Sequence, residues 1–139
     1  MRPDQKILFL CSMNRLRSPT AERVFRGVPG LEVRSAGLDL AQAQCPCEAE
    51  DLQWADLVLV MEARHRKQLN AKFGADMRGR KAIVLGIPDQ YAFMQPELVD
   101  LLLAKVPQFL AVQVDRQAVR GLLSLPEPAL PPVSFSTFW

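Results

Sequence analysis

Three β-branched-leaning runs in this chain are apolar without a break: Ile7-Leu8-Phe9-Leu10, Leu57-Val58-Leu59-Val60 and Ala82-Ile83-Val84-Leu85. Each is too short for a helix of its own. Such runs read as strands buried on both faces of a parallel sheet. A fourth run, Leu31-Glu32-Val33-Arg34, alternates and reads as an edge strand. Helical patterns fill the gaps. Ser18-Pro19 reads as a helix start, with Ser18 as N-cap and Pro19 in the first helical position. Ala21, Val24 and Phe25 form its apolar stripe, and Pro29-Gly30 ends it. Glu48 to Trp54 forms a short second helix. Ala63 to Phe73 forms a third, with Gly74 as its C-cap. A fourth begins near Pro96 and carries Leu98, Leu101 and Leu102. Strand alternating with helix predicts an α/β fold, a parallel sheet with helices on both faces.

Pro107 closes that pattern. Leu110, Val114, Ala118 and Leu122 recur every four residues, which predicts one more helix over Gln108 to Leu123. Beyond Ser124 prolines crowd together and Phe135, Phe138 and Trp139 follow. The expected division is a catalytic α/β body at residues 1–106 and a C-terminal extension at 107–139. The Pro/aromatic tail reads either as a self-packed extension or as a segment for protein contact.

The chain has 139 residues, of which 49 % are hydrophobic and 23 % charged, enough for one real core. Its net charge of +2 is too mild to imply nucleic acid as a partner. Apolar runs such as Leu57 to Met61 fall far short of the ~20 residues a membrane span needs. The first apolar stretch runs into Cys11, Arg15 and Arg17 rather than a signal-peptide cleavage site. These features predict a cytoplasmic protein without a membrane partner. Three cysteines argue against a disulfide scaffold.

The segment that carries chemistry is Cys11-Ser12-Met13-Asn14-Arg15-Leu16-Arg17-Ser18-Pro19. It follows a predicted buried strand and opens a predicted helix. A strand-to-helix turn gathers backbone N–H groups before a helix N-terminus, which makes a site for a phosphate-sized dianion. A cysteine at its base has its thiolate stabilised by the same dipoles. Arg17 can grip two phosphate oxygens with its planar fork. Ser18 can give its hydroxyl proton to the thiolate. Asn14 tolerates a left-handed backbone, and its amide can tie the loop together.

The run from Cys11 to Ser18 resembles the phosphate loop of the low-molecular-weight protein tyrosine phosphatases: cysteine, five residues, then arginine-serine-proline. The resemblance continues in order through Thr20-Ala21-Glu22, Ser35-Ala36-Gly37, Trp54-Ala55-Asp56 to Met61, and Ile87-Pro88-Asp89-Gln90-Tyr91. It covers about residues 6–105. It implies a three-layer α/β fold with a four-stranded parallel sheet in the order 2-1-3-4 and the phosphate-binding loop after strand 1. It also implies a cysteine-dependent phosphomonoester hydrolase needing no cofactor and no metal. Its substrate is a phosphorylated protein or a small phosphomonoester. By that resemblance Cys11, Arg17 and Asp89 are catalytic: nucleophile, charge clamp, and general acid then base. Ser12, Met13, Asn14, Arg15, Leu16, Arg17 and Ser18 bind phosphate. Asn14, Ser18 and Ser35 support the loop, and Tyr91 forms a wall against the substrate ring.

Three departures stand out. Leu16 occupies a position where many relatives carry a second cysteine. Gln90 replaces the proline that usually follows the acid. Only 18 residues separate Gly37 from Asp56, where the family has a longer rim. The alternatives are therefore a phosphoserine/threonine or small-molecule phosphatase, an arsenate reductase-like thiol enzyme, and a phosphate-binding module without turnover. Arg15 reads either as a contact for acidic neighbours on the substrate or as a solvated arginine. Cys45-Pro46-Cys47 reads as two incidental loop thiols or as a partner for an oxidised Cys11. His65, between Arg64 and Arg66, reads as part of a solvated basic helix face.

Overall fold

A computed structural model describes residues 3–123; the Pro/aromatic tail lies outside the described residues. The element order is β1 (Gln5–Cys11), α1 (Arg17–Phe25), β2 (Leu31–Gly37), α2 (Ala49–Trp54), β3 (Leu57–Val60), α3 (Ala63–Phe73), β4 (Ile83–Val84), α4 (Pro96–Lys105) and α5 (Arg116–Leu122). The four strands form one parallel sheet in the order β2-β1-β3-β4, as expected.

β1 divides the interior into two halves. Successive strand side chains point to opposite faces. Ile7, Phe9 and Cys11 enter one core with Val24 and Phe25 of α1 and Leu98 and Leu102 of α4. Leu8 and Leu10 enter the other with Leu52 of α2 and Leu69 of α3. All four of Ile7, Leu8, Phe9 and Leu10 are fully buried, which is why the run has no polar residue. Phe9 stacks on Phe25 at 5.8 Å between ring centroids.

Three local expectations need correction. α1 begins at Arg17 with Leu16 as N-cap, so Ser18 is not the cap and Pro19 sits in the third helical position. The Ser18 hydroxyl is instead engaged by Cys11 and Asn14, and proline fits because first-turn N–H groups have no helical partner. Gly74 caps α3 as expected, in a right-handed conformation; the chain then tightens into a 3-10 turn, and Arg78 takes the left-handed position (φ 54°). β4 is a two-residue edge strand with both residues half-buried, so its apolar run reflects the flanking Ala82 and Leu85, which are buried. The predicted helix over Gln108 to Leu123 is broken into a 3-10 turn at Pro107–Phe109, an extended stretch, and α5. Asp115 captures the Ala118 N–H and restarts the helix there. Phe109, Leu110, Val112 and Val114 still pack on the α1/α4 core. Among the described residues no helix is long and apolar enough to cross a membrane.

Candidate active site

Ser12 to Leu16 bridge the end of β1 and the start of α1. The stretch after β2 holds this loop from outside. Leu38 and Asp39 donate their N–H groups to the Cys11 and Ser12 carbonyls at 2.9 Å, and Gln44 donates to the Met13 carbonyl at 2.9 Å. A trans peptide sets its C=O and N–H on opposite sides. The N–H groups of Ser12, Met13 and Asn14 therefore point away from that segment. The same close approach explains Gly37: a Cβ there would lie 2.5 Å from the Ala43 Cβ and 2.7 Å from the Ser12 carbonyl oxygen.

Within the loop, Asn14 adopts φ 53°, the left-handed conformation that asparagine tolerates. Its amide donates to the Ser18 hydroxyl oxygen at 2.9 Å. Ser18 Oγ lies 2.9 Å from Cys11 Sγ. With its oxygen accepting from Asn14, the Ser18 hydroxyl hydrogen is left for the sulfur. Cys11, Asn14 and Ser18 are all buried.

Arg17 is also buried. Its Nη1 donates to a carboxylate oxygen of Glu62 and, at 2.7 Å, to the Ile87 carbonyl. Its Nε lies 3.8 Å from Asp89 Oδ1. With Nη1 committed, Nε and Nη2 remain as the fork for an incoming oxyanion. Glu62 is also bonded by Arg64, and hydrogen bonds from Arg64 and Arg17 push its carboxyl down to about 2.

Arg64 reaches the loop as well, donating from Nη1 to Ser12 Oγ at 3.1 Å. His65 lies 3.1 Å from the same oxygen through Nε2. Its Nδ1 accepts the Glu62 N–H at 3.0 Å, so in the neutral ring Nε2 carries the proton and donates to Ser12. Burial, with Arg17 and Arg64 nearby, pushes the imidazole down to about 4. His65 is fully buried and not part of a solvated face: α3 turns it inward while Arg64 and Arg66 stay exposed.

These ties leave a pocket of about 210 Å³ lined by Cys11, Ser12, Met13, Arg15, Leu16, Arg17 and Asp89. Met13 and Leu16 give it an apolar lip. Asp89 is exposed across from the loop. Two expected participants sit elsewhere. Ser35 hydrogen-bonds Glu22 rather than the loop, and Tyr91 packs half-buried against the α1/α4 core rather than lining the pocket. Cys45 and Cys47 flank Pro46, which bridges to Gly37; the Gly37 N–H donates to the Cys45 carbonyl and the Cys47 N–H to the Gly37 carbonyl, both at 2.8 Å. These bonds fasten the Cys45–Cys47 backbone to the end of β2. The Cys47 thiol is buried and pushed up to about 12, by burial first and Asp51 next.

Sequence reasoning missed Glu62, His65 and Thr20 as members of this site. Thr20 Oγ1 donates to the Leu16 carbonyl at 2.6 Å and accepts the Met94 N–H at 2.9 Å. It joins the loop after β1 to the segment that follows Asp89. A buried threonine in the first turns of α1 was a visible signal, since a hydroxyl on an apolar stripe needs a partner.

No protein-family model matches the chain, and no curated protein matches it. Solved structures do. The tyrosine phosphatase Wzb from Escherichia coli, in complex with phosphate, is 24 % identical with a TM-score of 0.58, covering 86 % of this chain and 90 % of that one. The low-molecular-weight protein tyrosine phosphatase from T. tengcongensis is 23 % identical with a TM-score of 0.58, covering 77 % and 100 %. A structure of YwlE from Bacillus subtilis is 23 % identical with a TM-score of 0.55, covering 86 % and 99 %; another YwlE structure, 22 % identical with a TM-score of 0.55, is described as an arginine phosphatase. The chain has the fold of the low-molecular-weight protein tyrosine phosphatases.

Proposed function

We propose that this protein is a cysteine-dependent phosphomonoester hydrolase acting through a phosphocysteine, with phosphotyrosine in protein as its substrate. The observation that carries the reading is one pocket in which Cys11, hydrogen-bonded to Ser18, faces the same space as Arg17 and Asp89. A thiolate, a dianion clamp and a carboxyl group are the three elements that phosphoryl transfer to sulfur requires.

In the first step Cys11 Sγ attacks phosphorus in line, and the bond from phosphorus to the leaving oxygen breaks. Ser18 holds the sulfur's charge before the attack. Arg17 and the loop N–H groups hold the charge on the transferring oxygens. Asp89 gives its proton to the leaving oxygen. In the second step Asp89 takes a proton from water, water attacks the phosphocysteine, and inorganic phosphate and the thiolate are released.

Nothing in the cysteine arrangement favours the reductase alternative. Cys47 is buried with its thiol held protonated, and burial together with Asp51, Glu22 and Glu48 raises the Cys45 thiol.

The test is hydrolysis of p-nitrophenyl phosphate in the presence of chelator, beside Cys11→Ser, Arg17→Ala and Asp89→Asn, with phosphotyrosine, phosphoserine and phosphoarginine peptides in parallel. The expected result is turnover lost in Cys11→Ser, with phosphotyrosine preferred and Asp89→Asn slowest on that poor leaving group. Turnover that survives Cys11→Ser overturns the reading.

A further inference from the structure

Seven residues line the phosphate pocket, and two of them are arginines with different circumstances. Arg17 is buried, with Nη1 held by Glu62 and Ile87 and Nε 3.8 Å from Asp89. Arg15 is exposed at the pocket, and among the described residues no hydrogen bond or ion pair holds its guanidinium. Its neighbours on the lip, Met13 and Leu16, carry no charge, and Leu16 is 37 % exposed. The other cation near the loop, Arg64, spends its N–H groups on Glu62 and Ser12. The rim thus presents an apolar surface, a carboxyl group from Asp89, and one uncommitted guanidinium.

We infer that Arg15 is a specificity-determining residue that selects phosphotyrosine segments carrying an acidic residue beside the phosphotyrosine. The inference rests on the phosphatase reading above. The scissile phosphate lies at the base of the pocket with Cys11 and Arg17, so what meets Arg15 is the part of the substrate just outside it. An aryl ring fits the Met13 and Leu16 lip. A carboxylate on the flanking residue finds a fork of free N–H donors and needs to displace no existing partner. Phosphoarginine brings a guanidinium bonded directly to phosphorus into the reach of Arg15, where like charges repel. The same rim that welcomes acidic phosphotyrosine segments therefore works against phosphoarginine.

An exposed ion pair of this kind gives a selectivity of about two- to fivefold at low salt, and the effect shrinks as salt rises. The experiment compares three phosphotyrosine peptides that differ only in carrying Asp/Glu, Asn/Gln or Lys at the flanking positions. For each, kcat/KM is measured with the wild-type protein, Arg15→Gln and Arg15→Glu, at low and high salt. The quantity read is the ratio between the peptides, so a general loss of activity in a variant does not enter it. The expected pattern is an acidic preference in the wild type, a ratio near one in Arg15→Gln, and a reversed preference for a Lys-flanked peptide in Arg15→Glu. An unchanged ratio in Arg15→Gln, or no acidic preference in the wild type, overturns the assignment. Binding of the same peptides to Cys11→Ser protein reads the preference without turnover. Preference in binding with no hydrolysis by the wild type would overturn the enzymatic reading and leave the selection by Arg15 standing.

Discussion

Thr20 Oγ1 bridges two loops: it gives its hydrogen to the Leu16 carbonyl and takes the Met94 N–H at 2.9 Å. Leu16 belongs to the phosphate loop, and Met94 lies in the segment between Asp89 and α4. Thr20→Val keeps the shape and removes both bonds, leaving the Met94 N–H without its acceptor. A cost of about 1–3 kcal/mol is expected. Activity should fall more on poor leaving groups than on activated aryl phosphates, because Asp89 loses its register with Cys11. Thr20→Ser, which keeps the hydroxyl, should restore that leaving-group dependence. Steady-state kinetics on a series of aryl phosphates, with urea melts alongside, checks both effects.

Asn14 combines a left-handed backbone with a side-chain donor, and two substitutions separate these roles. Asn14→Gly keeps the conformation at no steric cost and loses the bond to Ser18. Asn14→Ala loses the bond and adds about 1–2 kcal/mol of left-handed strain. Both should weaken phosphate binding, and the alanine variant should be the less stable of the two in denaturant titrations. Equal stability would remove the backbone from the argument.

His65 ties stability to pH. Its imidazole is held at about 4 in the folded protein, against about 6.5 in an unfolded chain. The unfolded state therefore binds more protons between these values. Stability should be constant above pH 6.5 on this account and fall as the pH drops toward 4, by roughly 1–3 kcal/mol. A charged ring can no longer accept the Glu62 N–H at Nδ1, although Nε2 still donates to Ser12. His65→Gln should flatten this part of the pH dependence, measured as the urea midpoint from pH 7 to pH 4.

Gly37→Ala places a methyl against Ala43 and the Ser12 carbonyl oxygen, at 2.5 and 2.7 Å. Neither neighbour is the end of a flexible chain, so the phosphate loop must move. A loss of about 1–3 kcal/mol is expected. Inorganic phosphate should inhibit the variant more weakly than the parent, which competitive inhibition constants will read directly.

The sheet was legible because burial on two faces leaves a mark: Ile7 to Leu10 carry no polar residue. Cys11 and Arg17 drew notice through the strand before them and the helix after them, and Asp89 only through the family resemblance. What stayed hidden were contacts made across the fold. Glu62 and His65 look like members of a charged helix face until α3 is docked on the sheet, which turns them toward Arg17 and Ser12. Ser18 looked like a helix cap because serine before proline usually is one, but here the thiol and Asn14 compete for its hydroxyl and win. Tyr91 was expected at the pocket on its position after the acid; its ring instead joins the core beside α4. The helix expected over 108–123 followed a four-residue repeat, but the chain runs extended after Phe109 and turns helical only after the Asp115 cap.

The grip of Glu62 and Ile87 on Arg17 has a consequence for when order is created. A long arginine side chain free in solvent has rotamer freedom worth up to about 2 kcal/mol. A guanidinium that had to be gathered by each arriving substrate would give up that freedom at every turnover. Here two protein acceptors already hold Nη1, one of them a backbone carbonyl that cannot swing away. The freedom of Arg17 is lost once, when the chain folds, and not again when phosphate arrives.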